Sequence, residues 1–283
     1  MTRQSIELEL QQEQGISRRA FVKRIGLGAA ALAGCALLED VQAAQASAPL
    51  SEGEASDEAV GVLIDLTRCT GCQTCALACK AANDMPQPDV VPTKLSSEAL
   101  TFVDSQPQPD GSTTYVKHQC MHCLHPGCVS ACTVGALRKT ALGPVVYDSS
   151  KCIGCRYCQY ACPFGVPTYE WDNVLGLIQK CQMCYSRLVE GEKPACVASC
   201  PNGALRFGKR SELLAQAKAQ IASTPDRYID HVYGEHEVGG TSMLYVSDVP
   251  FTQLGFPTLG DKVVSANAET VMQLTPVVAA TVA

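Results

Sequence analysis

Cysteine is the residue type in this sequence whose number and spacing could do chemistry, because 17 of the 283 residues are cysteines. Sixteen of them form four groups of four. Two groups share the spacing C-x2-C-x2-C-x3-C, and they are Cys69, Cys72, Cys75 and Cys79, and Cys152, Cys155, Cys158 and Cys162. The second group, C-x2-C-x4-C-x3-C, and the fourth, C-x2-C-x11-C-x3-C, are Cys120, Cys123, Cys128 and Cys132, and Cys181, Cys184, Cys196 and Cys200. Thiolates placed this closely are soft ligands for metal centres.

The spacing of the first and third groups is that of bacterial loops that bind 4Fe–4S clusters. Three thiolates can hold one cluster only if the chain curls around it, and Gly71 and Gly154 suit such a curl because glycine tolerates a positive φ. In two-cluster proteins with this spacing, the fourth cysteine binds the other cluster. We therefore predict four 4Fe–4S clusters as cofactors, with the sixteen grouped cysteines as their iron ligands and no catalytic residue.

Other cysteine chemistries fit the pattern less well. Structural zinc normally uses two C-x2-C pairs separated by a long spacer, which only the fourth group resembles. Disulfides form in oxidising compartments, but cysteines two residues apart, four times over, are poor partners for each other. A structural protein held together by zinc or disulfides is the alternative from a different class. His122 and His125 lie inside the second group, where cysteines already fill the ligand positions, so we expect them to pack rather than bind metal.

The amino terminus has the features of an export signal. Residues 17–23 read Ser-Arg-Arg-Ala-Phe-Val-Lys, close to the twin-arginine pattern S-R-R-x-F-L-K, and an apolar run covers 25–38. An A-x-A sequence at 44–46 offers a cleavage site. We predict a twin-arginine signal peptide over 1–46 and a mature protein in the periplasm or on the outer face of the cytoplasmic membrane. A lipobox-like sequence ends at Cys35, so lipid attachment there is the alternative.

The chain is an array of ferredoxin half-units, because the four cysteine groups follow one another with local repeats. Gly-Ala-Leu-Arg follows the second group at 135–138 and the fourth group at 203–206, at the same offset. The predicted fold class is α+β, with two tandem ferredoxin-like modules of two 4Fe–4S clusters each. Strands are predicted at 61–65, 137–139, 145–147 and 241–247. A helix with Ser211 as its N-cap is predicted to bury Leu214, Ala217 and Ile221 and to end before Pro225.

Four segments divide the chain. After the signal, the four-cluster domain covers 47–208, and it contains an insertion at 80–119 that is rich in proline, aspartate and serine and is expected to be a surface excursion. A carboxyl-terminal helix and strand extension covers 209–260. The tail, 261–283, ends in a seven-residue apolar stretch that is too short to span a bilayer and that we interpret as a truncated membrane anchor.

Charge and composition exclude other functions. The net charge is −6 at pH 7, so no basic surface for nucleic acid is indicated. Hydrophobic residues make up 46% and charged residues 18%, which suits a folded body. We find no nucleophile–base pair, phosphate-binding loop or second cofactor motif, and the one tryptophan, Trp171, is expected in the core or an interface. These features predict an electron carrier rather than an enzyme.

The sequence resembles a known family of four-cluster ferredoxin subunits, found in molybdopterin oxidoreductases and hydrogenases. The resemblance lies in Gln-Cys-Met-His-Cys at 119–123 and Lys-Pro-Ala-Cys at 193–196. The hydrogenase-2 type is most similar, through Gly-Cys-Arg-Tyr-Cys at 154–158, Phe-Gly-Val-Pro at 164–167 and Tyr-Gly-Glu at 233–235. Thr133, where a proline often follows the cysteine, and a missing or truncated carboxyl-terminal membrane helix depart from the family.

The resemblance implies that the first group pairs with the fourth, and the second with the third. One cluster would use Cys69, Cys72, Cys75 and Cys200, and its neighbour Cys181, Cys184, Cys196 and Cys79. A third would use Cys120, Cys123, Cys128 and Cys162, and the last Cys152, Cys155, Cys158 and Cys132.

The resemblance also implies a non-catalytic electron-transfer subunit of a multisubunit oxidoreductase. It would relay electrons between a catalytic subunit and an integral membrane subunit that reacts with quinone. A nickel–iron hydrogenase is the favoured catalytic partner, and a molybdopterin enzyme such as formate dehydrogenase is the alternative. No nucleic-acid partner is expected.

Overall fold

The part of the chain that the structure describes contains all four cysteine groups. The structure is a computed structural model, and it describes residues 59–87, 90–173, 176–267 and 270. The predicted signal peptide, Cys35 and the apolar stretch at 277–283 lie outside these residues.

Short strands and helices alternate along the described chain, as the α+β prediction requires. The strands are β1 (Val60–Asp65), β2 (Phe102–Pro107), β3 (Thr113–His118), β4 (Leu137–Lys139), β5 (Val145–Tyr147), β6 (Thr168–Tyr169), β7 (Ile178–Gln179), β8 (Leu205–Lys209) and β9 (Met243–Val246). The helices are α1 (Thr74–Ala82), α2 (Gly127–Ser130), α3 (Tyr157–Tyr160), α4 (Tyr185–Val189), α5 (Ala195–Ala198) and α6 (Arg210–Ser223). Short 3₁₀ turns lie at Leu66–Arg68, Ser149–Lys151, Glu237–Gly239 and Phe251–Leu254. Within the described residues, none of the helices has the length and apolar character needed to cross a membrane.

A three-stranded sheet in the order β8-β1-β9 supports the cysteine loops. β1 pairs antiparallel with β8 and parallel with β9. Because side chains alternate across a strand, β1 buries two faces: Ile64 packs with the cysteine-bearing core, and Leu63 packs with Leu213 and Ala217 of α6. The strands predicted at 61–65 and 241–247 are confirmed as β1 and β9, although β9 is shorter than predicted.

Antiparallel hairpins lie between the cysteine groups, namely β2–β3, β4–β5 and β6–β7. The strands predicted at 137–139 and 145–147 are confirmed with those bounds as β4 and β5. Leu137 and Val145 of this hairpin are buried together with Cys158, so the hairpin packs directly against the third cysteine group.

The start of α6 differs from the prediction. The N-cap is Lys209 and the first helical residue is Arg210, so Ser211 lies inside the helix. The backbone N–H of Arg210 donates to the carbonyl of Ala59 at 2.8 Å, and its side chain donates to the carbonyl of Thr241 at 2.7 Å. These contacts with residues distant in sequence hold Arg210 as the first helical residue, so the helix begins before Ser211, the N-cap predicted from the local sequence.

The buried face and the end of α6 follow the prediction closely. Ala217 and Ile221 are buried as predicted, but Leu213 rather than Leu214 is the buried leucine. Leu214 still packs against the same cluster while partly exposed. The helix ends at Ser223, before the proline that was predicted to stop it.

The segment 80–119 differs from the surface excursion expected for it. Its hairpin buries Val103 and Val116, which are 5% and 0% exposed, in the core beside the first cysteine group. Lys80 fixes the preceding loop because its ammonium donates hydrogen bonds to the carbonyls of Pro86 and Glu98 at 2.9 and 2.5 Å. The sequence did not predict this hairpin, because its strands contain few apolar residues and prolines surround them.

Of the two places expected for Trp171, the core or an interface, the structure excludes the core. Its side chain is 66% exposed, and its ring lies 5.1 Å from the ring of Tyr169 and 4.8 Å from the guanidinium of Arg156. These contacts place Trp171 on the surface beside the third cysteine group, whose second and third members flank Arg156.

Candidate iron–sulfur cluster sites

The first site is a cavity that is lined by four cysteines. Cys69 and Cys72 lie in the loop after β1, Cys75 lies in α1, and Cys200 follows α5. Apolar side chains, including Ile64 from the central strand, form much of the remaining wall. The structure therefore brings the first three cysteines of the first group together with the last cysteine of the fourth group.

The second site is a similar cavity. It is lined by Cys181, Cys184 and Cys196 of the fourth group and by Cys79, the last cysteine of the first group. Each of these two groups thus contributes its last cysteine to the cavity of the other.

Two helices make this exchange possible. Cys75 and Cys79 lie four residues apart in α1, so they project from the same side of that helix, one turn apart. Cys196 lies in α5 and Cys200 follows it at the same spacing. One side of α1, and α5 together with the residues that follow it, therefore supply thiols to two adjacent cavities.

The third site brings the second and third groups together. The pKa of Cys123 is well above its usual value, first because of burial and then because of the thiols of Cys120, Cys162 and Cys128. Since such interactions weaken with distance, Cys162, the last cysteine of the third group, lies among the leading cysteines of the second group.

The fourth site is the reciprocal of the third. Burial raises the pKa of Cys158 to about 11, and the next contributions come from Cys132, Cys155 and Cys152. Cys132, the last cysteine of the second group, therefore lies among the first three cysteines of the third group. The backbone N–H of Ala136 donates to Cys132 Sγ at 3.2 Å.

The four sites form a linear series. A thiol of one site raises the pKa of a thiol in the next: Cys196 acts on Cys75, Cys120 acts on Cys181, and Cys158 acts on Cys128. Cys72 in the first site and Cys155 in the fourth site are exposed, whereas the cysteines of the second and third sites are buried or half-buried. The series thus has two accessible ends and a shielded middle.

The donor set suits a 4Fe–4S cluster. All sixteen grouped cysteines are free thiols, and each of the first two cavities is lined by four of them, which is the ligand number of such a cluster. Backbone N–H groups point at sulfur: Gly154 donates to Cys152 at 3.4 Å and Met183 donates to Cys181 at 3.3 Å. Hydrogen bonds of this kind stabilise the negative charge that a bound cluster carries.

Burial keeps most of these thiols protonated when no iron is bound. It raises the pKa of Cys79 and of Cys128 to about 12, with further contributions from neighbouring thiols. The exposed Cys72 is the contrast, because hydrogen bonds from Thr74 lower its pKa. Binding of iron must therefore release protons from the buried thiols, and metal binding and folding are coupled.

Lys117 lines both the first and the second cavity and is 4% exposed. Its ammonium donates hydrogen bonds to Thr101 Oγ1 and, at 2.9 Å, to Gln119 Oε1. Burial lowers the pKa of Lys117, but negative charge on the surrounding cysteine sulfurs, led by that of Cys196, outweighs this effect and raises the pKa.

Two further lysines lie beside the inner sites. Lys180, 3% exposed, donates to the carbonyls of Val145 and Cys181 at 2.6 and 3.0 Å. Lys139 donates to the carbonyl of Cys123 at 2.8 Å, and burial lowers its pKa to about 8. Our sequence reasoning missed all three lysines, although Lys180 directly precedes a cysteine and this position was an available signal.

His122 packs in the core, in keeping with the role expected for it. It is 0% exposed, and its Nδ1 accepts a hydrogen bond from the backbone N–H of Val145 at 2.9 Å. The pKa of His122 is lowered well below its usual value by burial and by the charges of Lys180 and Lys139. The ring is therefore neutral, with its proton on Nε2.

The chain is similar to known iron–sulfur proteins. A family model described as a 4Fe-4S dicluster domain matches residues 112–210. A protein of Nitratidesulfovibrio vulgaris is 44% identical over 214 residues, which is 70% of this chain and 56% of that protein. The chain therefore spans little more than half the length of this relative.

Two further relatives have names that describe their systems. The hydrogenase-2 operon protein HybA of Escherichia coli O157:H7 is 36% identical over 296 aligned positions, covering 90% of this chain and 88% of that protein. The nitrate-inducible formate dehydrogenase iron–sulfur subunit of Escherichia coli K12 is 37% identical over 216 residues, covering 70% of this chain and 72% of that protein.

Proposed function

The chain belongs to the family of 4Fe–4S iron–sulfur subunits represented by these hydrogenase-2 and formate dehydrogenase proteins, and we propose that it relays electrons through four such clusters. It is a non-catalytic electron-transfer subunit of an oxidoreductase. Each bound cluster supplies a centre that accepts and gives up one electron. The protein holds each cluster with thiolates, shields the inner sites from water and fixes the order of the sites.

The observation that carries this proposal is the linear series of sites with an exposed cysteine at each end. Electrons that enter beside Cys72 or Cys155 would leave at the other end, because only the terminal sites have a cysteine at the surface. Shielding of the inner sites would prevent loss of electrons to solvent along the way.

We propose that two ferredoxin-like modules hold the clusters, with one module inserted into the other along the chain. The outer module combines the first and fourth groups, and the inner module combines the second and third groups. The proposed ligand sets are Cys69, Cys72, Cys75 and Cys200; Cys181, Cys184, Cys196 and Cys79; Cys120, Cys123, Cys128 and Cys162; and Cys152, Cys155, Cys158 and Cys132. The two cavities and the interactions among the thiols support these sets.

A Cys120→Ser change tests the relay in the assembled complex. Because Cys120 belongs to an inner site, we expect electron transfer from the catalytic subunit to quinone to fall at least about tenfold. Reduction of a soluble dye at the catalytic subunit should persist, since it does not need the full series. Val134→Ala, at an exposed position nearby, is the matched control. Quinone reduction at the wild-type rate in a Cys120→Ser complex that lacks one cluster would contradict the proposal.

The catalytic partner that we propose is a nickel–iron hydrogenase. The support is that similarity to the hydrogenase-2 protein extends over 90% of this chain, against 70% for the formate dehydrogenase subunit. A molybdopterin enzyme of the formate dehydrogenase type is the second candidate, because its subunit is equally similar where the two align. Metal analysis of the co-purified complex distinguishes them: nickel supports the first partner, and molybdenum or tungsten supports the second.

We propose an integral membrane subunit that reacts with quinone as the second partner. The surface around the fourth site supports a protein contact, because Ile153, Tyr157 and Tyr160 are 67%, 58% and 86% exposed beside Cys155. Clusters of exposed apolar side chains are typical of interaction surfaces. A Tyr160→Asp change should weaken co-purification with the membrane subunit and leave the iron content of the chain unchanged.

Export to the periplasm or the outer face of the cytoplasmic membrane is a further part of the proposal. It rests on the twin-arginine pattern at 17–23. Replacing Arg18 and Arg19 by lysine should retain the protein in the cytoplasm with its clusters assembled. Normal export of this double variant would contradict a twin-arginine route. The mass of the exported protein's amino terminus would distinguish cleavage before Ser47 from lipid attachment at Cys35.

A further inference from the structure

Lys117 is a buried cation that the ligand sets do not require. It lies in β3, lines both the first and the second cavity, and is 4% exposed. Its hydrogen-bond acceptors are the neutral oxygens of Thr101 and Gln119, which occupy two of the three N–H donors of the ammonium group. No carboxylate among the described residues forms an ion pair with Lys117.

The surroundings of Lys117 leave it without a negative protein charge. An ammonium group removed from water is strongly disfavoured unless an opposite charge compensates it. The charged groups that act most strongly on the Lys117 pKa are the sulfurs of Cys196, Cys75, Cys181 and Cys79, which belong to both sites. Negative charge at these thiolates and their clusters is therefore the compensation that the fold provides.

A hydrogen-bonded network holds Lys117 in place. The side-chain amide of Gln119 donates to Tyr245 Oη at 2.6 Å, and that hydroxyl donates to the carbonyl of Lys117 at 2.8 Å. Tyr245 lies in β9 and is 1% exposed. The central sheet thus fixes both the backbone and the side chain of Lys117, so that its charge keeps one position relative to the two cavities.

We propose that Lys117 is a fixed positive charge shared by the first two clusters, and that it raises the reduction potential of both. Reduction adds one electron to a cluster and makes it more negative by one charge, with the electron supplied by the neighbouring site or partner. A nearby cation in a poorly polarisable interior stabilises the reduced form over the oxidised form. The inference rests on the proposed four-cluster function and adds to it a means of setting two of the four potentials.

The test is a redox titration, followed by EPR, of the full chain with its clusters. In Lys117→Gln, which keeps a hydrogen-bonding side chain but removes the charge, two of the four midpoint potentials should fall. The expected change is at least about tenfold in the equilibrium constant for reduction, or about 59 mV for one electron. Lys117→Arg keeps the charge and should retain all four potentials. Lys80→Gln is the matched control, because Lys80 is also 4% exposed and hydrogen-bonded but does not line either cavity.

Several results would overturn the proposal: unchanged potentials in Lys117→Gln, an equal fall of all four potentials, or the same fall in Lys80→Gln. If Lys117→Gln fails to assemble two clusters, the cluster content of Lys117→Arg is the measurement that distinguishes a role of the charge from a role in packing. Normal clusters in the arginine variant would show that the positive charge is required, whereas loss in both variants would show a packing role and contradict the proposal. An iron content of the wild-type chain well below about sixteen would instead contradict the four-cluster function itself.

Discussion

Cys75 and Cys79 show at the scale of single residues how two cluster sites become one connected pair. They lie one turn apart in α1 yet line different cavities. Cys196 and Cys200 have the same spacing, and they line the second and the first cavity, respectively. Because each site depends on a ligand from the other group, neither group should assemble a complete cluster alone.

The exchange of ligands predicts which cysteine variants share a phenotype. Cys200→Ser should perturb the same EPR signal as Cys69→Ser, because both residues line the first cavity. Cys79→Ser should instead match Cys181→Ser. Spectra of the four reduced variants check this. A match of Cys200→Ser with Cys181→Ser would show that each group binds its own cluster, against the proposed ligand sets.

Residue types predicted the ligands, but not the charges around them. The cysteine spacing alone indicated sixteen thiolate ligands, and the cavities gather eight of them into the two sets that the family resemblance implied. Lys117 could not be found in the same way, because a lysine in a segment rich in polar residues normally faces water. Only the pairing of β2 with β3 and their packing on the core bury it.

The tight loops are the elements that set the shape of the sites, and the first loop shows why glycine is needed there. Gly71 has a φ of +69°, and a Cβ at this position would lie 2.4 Å from the ring of Tyr115 in β3. Gly135, in the loop after the second group, has a similar φ of +62° but nothing within 4 Å of such a Cβ. An alanine at Gly135 would therefore cause backbone strain alone, whereas an alanine at Gly71 would cause both backbone strain and a steric clash.

Gly71→Ala should destabilise the protein more than Gly135→Ala does. Both variants place alanine at positive φ, which costs about 1–2 kcal/mol, but only Gly71→Ala also displaces Tyr115 and the hairpin over the first site. We expect Gly71→Ala to lower the iron content and the midpoint of thermal unfolding, and Gly135→Ala to lower the midpoint alone. Equal iron contents and midpoints would show that the hairpin does not press on the first loop.

The elements themselves were predictable where local patterns decide them. The strands β1 and β5 were predictable from apolar runs, β4 from the turn at Gly143-Pro144, and the end of α6 from a proline. The start of α6 was not predictable from Ser211, because Arg210 is held by Ala59 and Thr241, which are remote in sequence. The hairpin of residues 102–118 was missed since its burial depends on the neighbouring loop rather than on its own composition.

Across the whole molecule, the buried charges indicate that clusters are part of the folded state. Lys117 and Lys180 are 4% and 3% exposed without a carboxylate partner among the described residues, and the raised pKa values of most thiols keep the empty sites uncharged. Bound clusters supply negative charge beside these cations, so cluster binding and stability should be linked.

Removal of iron should therefore destabilise the protein. Leaving a buried charge without its partner costs on the order of 3–5 kcal/mol, so the iron-free chain should unfold at a lower temperature than the loaded chain. Circular dichroism during anaerobic heating of both forms checks this. If the two forms unfold at the same temperature, the clusters contribute nothing to the fold, and the buried lysines need another explanation.

The measurement that tests the central claim most directly is the iron and acid-labile sulfide content of the purified chain, with EPR of the dithionite-reduced protein. Four 4Fe–4S clusters require about sixteen irons and about sixteen sulfides per chain, with reduced-cluster signals that interact because neighbouring sites are close. Zinc in place of iron, or disulfides with no bound metal, would contradict the account.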